Sequence, residues 1–284
     1  MEGIDQARIP NVVTIAGVDP SGGAGVLADV KAMSACGAFA CGVVTALTAQ
    51  NTRAVTGVLP VDLGFVREQI DTLWADVEID AVKIGMLGTA GLVDVVADAL
   101  ERYRPRWVVL DPVMIAKSGD RLLEVEATER LKERMLPLAN VLTPNLPEAT
   151  ALLGRPSDGI DLAGFEAAAR ELLSMMSSGD AWVLLKGGHL DAENAPDLLL
   201  GRSERHLFDA PRIMTKNTHG TGCTLSSAIA AYLPVSASVP EAVERAKAYL
   251  TEAIRHADAL SVGSGHGPTD HFWALRETPS KMKM

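Results

Sequence analysis

The sequence predicts an α/β fold of three layers, an αβα sandwich with a mainly parallel central sheet. Three observations carry that expectation. Short, continuous runs rich in Val, Ile and Leu recur along the chain, the pattern of strands buried on both faces. Helical stretches separate these runs, as parallel strands joined by crossovers require. Nearly every such strand then runs into a polar or glycine-rich loop, and in open α/β sheets ligands bind beyond the carboxyl ends of the strands.

In chain order, the strand candidates are Val12–Ala16, Gly42–Leu47, Ala54–Val61, Ala81–Ile84, Trp107–Leu110, Val141–Leu142 and Ala181–Leu185. Helical patterns fall near Ala24–Ala35, Phe65–Trp74, Leu92–Arg102, Glu124–Arg134, Pro147–Leu153 and Leu162–Met175, with Thr224–Tyr232 and Val239–Ala259 closing the chain. Short β-like pieces at Asp197–Leu200 and His206–Asp209 predict an antiparallel edge. No repeat, low-complexity segment or linker interrupts the pattern. Residues 1–284 therefore read as a single domain with an ordered core at about 12–273.

Composition narrows the classes of function. Apolar residues make up 48% of the chain, enough for a large buried core. A net charge of −10 argues against nucleic acid as a partner. No run reaches the roughly 18 apolar residues of a membrane span, and the N-terminal residues lack a secretory pattern. Cys36, Cys41 and Cys223 form no C-x-x-C pair, which fits a reducing cytoplasm.

The loops after the strands read GVDPSGGAG, TAQNT, GMLG, DPVMIAKSGD, TPNLPEA, KGGHLD and NTHGTGC. In Asn217–Cys223, Gly220 and Gly222 permit close backbone approach, and a strong apolar helix follows. The N–H groups of Gly220, Thr221, Gly222 and Cys223 are then aimed outward at a positive helix end, which suits phosphate. The plainer reading is a glycine-assisted turn with Thr as N-cap. Cys223 in that position is expected to have a lowered pKa and to suit proton acceptance, or else to be a small buried hydrophobe.

Gly23-x-Gly25-x-x-Ala28 matches a dinucleotide fingerprint, but no acid occurs between Asp29 and Asp62 to bind a ribose, and no P-loop is present. The glycines instead let a substrate lie against the backbone, with Asp19 and Asp29 binding it or capping a turn. Gln50 ends its strand with an amide that can donate and accept at the edge of a heteroaromatic ring, and Met86 can wall a flat ligand. Asp111 can orient substrate or help hold Mg²⁺. Asn145 and Glu148, spaced N-x-x-E, can hold a hydrated Mg²⁺ or form a capping box. Lys186 can meet phosphate as a point charge. Lys117 and Ser118 lie in a loop suited to act as a lid. The histidines make no zinc pattern.

Taken together, TIAGVDPSGGAGVLADVKAMSACGAF, TALTAQNT, KIGMLG, LDPVMIAKSGDRLL, LTPNLPEA, LLKGGHL and NTHGTGCTLSSAIAAYL closely resemble the hydroxymethylpyrimidine/phosphomethylpyrimidine kinases of thiamine biosynthesis, in the ribokinase-like superfamily. The resemblance spans about Val12 to Trp273. It implies an enzyme dependent on Mg²⁺ and ATP that phosphorylates 4-amino-5-hydroxymethyl-2-methylpyrimidine and then its monophosphate. By motif it implies that Gln50, Gly17, Asp29, Met86 and Val113 surround the pyrimidine. Gly220, Thr221 and Gly222 resemble the anion hole, and Asn145 and Glu148 the metal–phosphate motif. Lys186 would join Cys223 in catalysis, and Lys117 and Asp111 would serve the nucleotide. The wider superfamily usually has Asp where Cys223 stands, and the pyrimidine branch resembles the Cys form. Asp270 occupies a position where Asn is more usual. A homodimer is implied by the resemblance alone. The alternatives are a pyridoxal or pyridoxine kinase of the same superfamily, or a non-catalytic pyrimidine- or nucleotide-binding protein.

Overall fold

Alternation along the central strands builds the layers. Val13, Ile15, Val82, Ile84, Val108 and Leu110 pack on one side of the sheet. Their neighbours Val12, Ala81 and Val109 pack on the other. Strand side chains alternate between faces, so apolar residues at consecutive positions demand cover on both. A computed structural model describes residues 8–114, 124–155, 164–188, 194 and 196–276. Lys117, Ser118 and His189 lie outside the described residues.

The described strands are β1 (Asn11–Val18), β2 (Phe39–Gln50), β3 (Val55–Pro60), β4 (Ala81–Ile84), β5 (Trp107–Leu110), β6 (Val141–Leu142), β7 (Trp182–Lys186), β8 (Asp197–Leu200) and β9 (Arg205–Phe208). They form one sheet in the order β3-β2-β1-β4-β5-β6-β7-β8-β9. The pairs from β2 through β7 are parallel. The two ends are antiparallel, at β2–β3 on one side and β7–β8–β9 on the other.

The helices are α1 (Gly25–Ala35), α2 (Leu63–Trp74), α3 (Ala90–Tyr103), α4 (Val125–Arg134), α5 (Leu146–Leu152), α6 (Phe165–Ser174), α7 (Thr221–Tyr232) and α8 (Val239–Arg255), with a short α9 (Trp273–Arg276). Apolar residues of α2 to α6 close one face of the sheet. Those of α1, α7 and α8 close the other.

β4, β5 and β6 occupy the positions their sequence predicts. β2 runs longer than expected at both ends: Phe39, Ala40 and Cys41 extend its parallel pairing with β1, and Thr48, Ala49 and Gln50 continue it in antiparallel pairing with β3. α7 begins at Thr221 rather than Thr224, because Gly220 adopts φ 74° and starts the helix directly after the turn. From β1 the chain passes to β2 on one side and later to β4 on the other. That reversal opens a crevice at the carboxyl ends of β1 and β4.

Candidate active site

A cavity of about 590 Å³ opens at this crevice. Its wall includes Gly17 after β1, Gln50 at the end of β2, Met86 after β4, and Asp111 and Val113 after β5. Asn145 and Glu148 at α5, Lys186 at the end of β7, and Gly220, Thr221, Gly222 and Cys223 at the start of α7 complete it. The structure thus brings together every described candidate from the sequence except Asp29.

At the end nearest β1, Gly17 leaves space for Met86: a Cβ at Gly17 would stand 2.6 Å from Met86 Cε. Thr45 Oγ1 donates to Met86 O at 2.9 Å, holding that turn on β2. Thr48 Oγ1 is 2.9 Å from Val18 O and 3.1 Å from Gln50 Oε1, which ties the β2–β3 hairpin to β1 and orients the Gln50 amide. This end of the wall is therefore mostly apolar, with one amide at its edge.

At the other end, α7 starts on Gly220 with no side-chain cap. The plainer reading, a Thr N-cap, is corrected: Thr221 is the first helical residue. The first-turn N–H groups therefore remain available to an anion, and the helix dipole favours negative charge there. The turn is locked into the first loop. A Cβ on Gly220 would lie 1.7 Å from Gly23 O, and one on Gly23 would lie 2.3 Å from His219 Cδ2. His219 Nε2 lies 2.7 Å from Asp19 Oδ2, and Asp19 also accepts from Ser21 N, Ser21 Oγ and Ala24 N. Against its burial, the bonds from His219 and Ser21 hold the Asp19 carboxyl below its ordinary value. Sequence reading missed this pair, since 200 positions separate its members. The usable signal was an Asp and a His each placed in a glycine-rich loop.

Beside α7 lies a charged trio. Lys186 Nζ is 3.2 Å from Asp111 Oδ1 and 3.8 Å from Glu148 Oε2. Asp111 also accepts from Thr143 Oγ1 and Ser226 Oγ, both at 3.2 Å. Burial would raise Asp111, but Lys186 and Lys83 overcome it and hold the carboxyl low. Burial would lower Lys186, but Asp111 and Glu148 keep its pKa above the ordinary lysine value. Glu148 goes the other way: burial, with the Asp111 charge adding, pushes it up to about 7 against the pull of Lys186.

Asn145 and Glu148 form a complete capping box, with Asn145 N donating to Glu148 Oε2 and Glu148 N to Asn145 Oδ1, each at 2.8 Å. The cap does not remove Glu148 from the cavity wall. Among the described residues, no three His, Cys, Asp or Glu side chains cluster as metal ligands. The donors present suit a cation that keeps most of its water, as Mg²⁺ does, rather than a protein cage.

The Glu148 shift predicts a pH effect on the metal-free protein. A carboxyl raised in the fold binds more protons native than unfolded, so its contribution falls as pH rises from 4.5 through about 7. Glu148→Gln keeps an acceptor for the cap and removes the charge. Thermal melts should show the variant about 5 °C more stable than wild type at pH 8, with the gain vanishing near pH 4.5, on the order of 2 kcal/mol. A variant less stable at pH 8 would contradict the assignment.

Two expectations are corrected. Asp29 does not line the cavity. It is fully buried beneath it, accepting from Thr14 Oγ1 at 2.6 Å, Ser227 Oγ at 2.8 Å and Lys83 Nζ at 2.8 and 2.9 Å. Its oxygens are saturated and cannot serve the substrate. Cys223 does not have a lowered pKa: burial, with Asp29 and Asp111 adding, pushes the thiol up to about 11 against Lys83 and a bond from Gly25 N–H. Desolvation outweighs the helix end here.

Layered sheet, switch-point cavity, uncapped helix start and lysine–carboxylate trio together define a ribokinase-like small-molecule kinase. The sequence model of the phosphomethylpyrimidine kinase family matches residues 19–270. The Escherichia coli K12 hydroxymethylpyrimidine/phosphomethylpyrimidine kinase is 52% identical over 264 residues, covering 93% of this chain and 98% of that one. The chain belongs to the phosphomethylpyrimidine kinase family. Among solved structures, the ADP complex of Bacillus subtilis pyridoxal kinase superposes with TM-score 0.85 at 33% identity, covering 95% and 99% of the two chains. The phosphomethylpyrimidine kinase of Clostridium difficile 630 gives 0.75 at 39%, covering 87% and 100%.

Proposed function

We propose that the chain uses ATP to phosphorylate the hydroxymethyl group of 4-amino-5-hydroxymethyl-2-methylpyrimidine, and then phosphorylates that monophosphate to the diphosphate for thiamine diphosphate biosynthesis. One observation carries this reading. A mostly apolar wall edged by the Gln50 amide and an uncapped helix start beside Lys186 share one cavity. The E. coli relative, a kinase for both pyrimidines, supports both steps.

In this reading Gln50 pairs with the ring edge, while Gly17, Met86 and Val113 bound its faces. Lys186 holds the transferring phosphate, and the N–H groups of the Gly220–Cys223 turn stabilise charge developing on it. Asp111 fixes the Lys186 ammonium. Glu148, oriented by Asn145 through the cap, would hold Mg²⁺ through water; with ATP, that cation neutralises phosphate charge. In the first step the substrate oxygen bonds to the γ-phosphorus, the bond to ADP breaks, and the hydroxyl proton passes to Cys223 Sγ in its thiolate form, a minor species near neutral pH because burial raises the thiol pKa. The second nucleophile is a phosphate, already ionised near neutral pH, and needs no base.

That asymmetry is testable. Cys223→Ala should slow the first phosphorylation by roughly 10²-fold and the second by much less, measured as separate initial rates. Equal losses in both steps would remove the base role. ADP release should also depend on the pyrimidine alcohol; release without it, or ligand binding without turnover, would favour a non-catalytic or hydrolytic protein.

A second reading, pyridoxine phosphorylation, is favoured by the likeness to B. subtilis pyridoxal kinase. Kinetics with both alcohols decides: a higher kcat/KM for pyridoxine would reverse the primary assignment. The proposal also includes a cytoplasmic location and a homodimer, the dimer supported by exposed Leu47 and Leu59 facing each other on the edge hairpin. Light scattering giving a one-chain mass would contradict the dimer. No described helix is long and apolar enough to cross a membrane.

A further inference from the structure

Gln50 stands where the sheet is least supported. Its hairpin partner β3 is the terminal strand of the sheet and is exposed over most of its length. The β2–β3 pairing slips between Ala49 and Gln50, an irregularity of the kind that re-aims a side chain. Past Gln50 the chain reverses in a tight turn: Asn51 N donates to Ala54 O at 3.1 Å, and Asn51 Oδ1 accepts from Arg53 N and Ala54 N. An amide at the end of an edge hairpin keeps one position only if a neighbouring element fixes the turn. Residues 263–268 do so. Thr52 O accepts from His266 N at 2.9 Å, Thr52 Oγ1 accepts from Gly265 N at 3.1 Å, and Arg53 Nε donates to Ser264 Oγ at 2.7 Å. A Cβ on Gly265 would stand 2.1 Å from Thr52 O and 2.6 Å from Thr52 C, so the two main chains meet with no room for a side chain. The other end of the segment is fastened to the anion turn. His219 N donates to Gly267 O at 3.0 Å, and a Cβ on Gly267 would lie 2.2 Å from Asn217 Oδ1. One short segment therefore grips both the turn after Gln50 and the residue before Gly220.

We infer that residues 263–268 are a brace that holds the Gln50 amide at a set distance from the Gly220 turn, with Gly265 as its positioning residue. The inference rests on the proposed role of Gln50 at the ring edge. Gly265 does not line the cavity and acts through Thr52. The two points held are the amide that pairs with the ring and the N–H groups that face the phosphate. Their spacing sets where the hydroxymethyl oxygen lies relative to the phosphorus it attacks. The two ends differ in stiffness. The anion turn is interlocked with the first loop through Gly220 and Gly23, whereas the hairpin lies at the sheet edge. A bulkier residue at 265 therefore displaces the hairpin rather than the anion turn.

A residue needed only for folding would lower stability and leave ring recognition alone. A brace predicts coupling to Gln50. Gly265→Ala should raise the KM for the pyrimidine alcohol and lower its kcat/KM by roughly 10²-fold, with the KM for ATP within about twofold of wild type. In a Gln50→Ala background the same substitution should cost less than about threefold, because the group it misplaces is already gone. Thr52→Val removes the acceptor for Gly265 N–H at nearly constant volume and should repeat the pattern at roughly 5-fold. That variant carries the test if melting curves show that Gly265→Ala folds poorly. Gly57→Ala on the same hairpin is the control, since its Cβ would meet only Ala49 Cβ, at 3.6 Å. Equal losses with and without Gln50 would overturn the inference, as would a loss confined to the KM for ATP. Amide hydrogen exchange reads the brace without ligand or turnover. Peptides covering residues 48–56 should exchange roughly 5-fold faster or more in Gly265→Ala than in wild type, and unchanged exchange would overturn the inference. Faster exchange in a protein that phosphorylates no pyrimidine would sink the proposed function and leave the brace standing.

Discussion

Lys186→Met should lower kcat for both phosphorylations together, by roughly 10²- to 10³-fold. Lys186 serves the phosphate end of the cavity, which is common to both steps. Methionine keeps the aliphatic stem and removes the charge. Two carboxylates, Asp111 and Glu148, then face each other with their shared cation gone. Phosphate would meet an acidic wall in place of a positive point. Arginine should not restore the rate, because its planar fork cannot replace a compact ammonium between two carboxylates. A loss confined to the KM for the pyrimidine would place Lys186 at the wrong end of the site.

Gly220→Ala should be at least as damaging, and for a backbone reason. Gly220 holds φ 74°, and a Cβ would meet Gly23 O at 1.7 Å and Gly23 C at 2.8 Å. The overlap is with main chain, so no side chain can swing aside. The two loops must separate, which displaces the Asp19–His219 contact and the first-turn N–H groups together. Displacing catalytic groups by about 1 Å costs on the order of 10²-fold, and several donors move at once. We expect a roughly 10³-fold loss of kcat in both steps, and a melting temperature lower by several degrees. Gly188→Ala is the control, since a Cβ there meets nothing within 4 Å. A Gly220→Ala enzyme with near-normal kcat would show that the interlocked turn does not serve transfer.

Much of this was legible in residue order. Continuous apolar runs such as Trp107–Leu110 have only one use in an α/β chain, as strands covered on both faces, so strands and layers followed. The converging loops followed too, because a parallel sheet delivers all its carboxyl ends to one side. What could not be read were pairings between distant loops. Asp19 and His219 look like isolated loop residues until the fold closes them to 2.7 Å. Lys83 in AVKI was not singled out, because a lone lysine in a four-residue strand carries no motif. Its only clue was a lysine inside a strand whose neighbours require cover on both faces. The same buried node explains why Asp29 was misplaced as a substrate ligand. Cys223 was misjudged because a helix start favours the thiolate, whereas its depth in the protein, invisible in the sequence, disfavours it more. At Asn145 and Glu148 the two competing readings are compatible, since the cap sets the carboxylate on the cavity wall.

The most direct measurement is a mass-spectrometric time course of the purified protein with Mg·ATP and 4-amino-5-hydroxymethyl-2-methylpyrimidine. The monophosphate should rise first and the diphosphate should follow at its expense, with one ADP formed for each phosphoryl group transferred. Folded protein that yields neither product, or that forms ADP without phosphorylating the pyrimidine, would contradict the account.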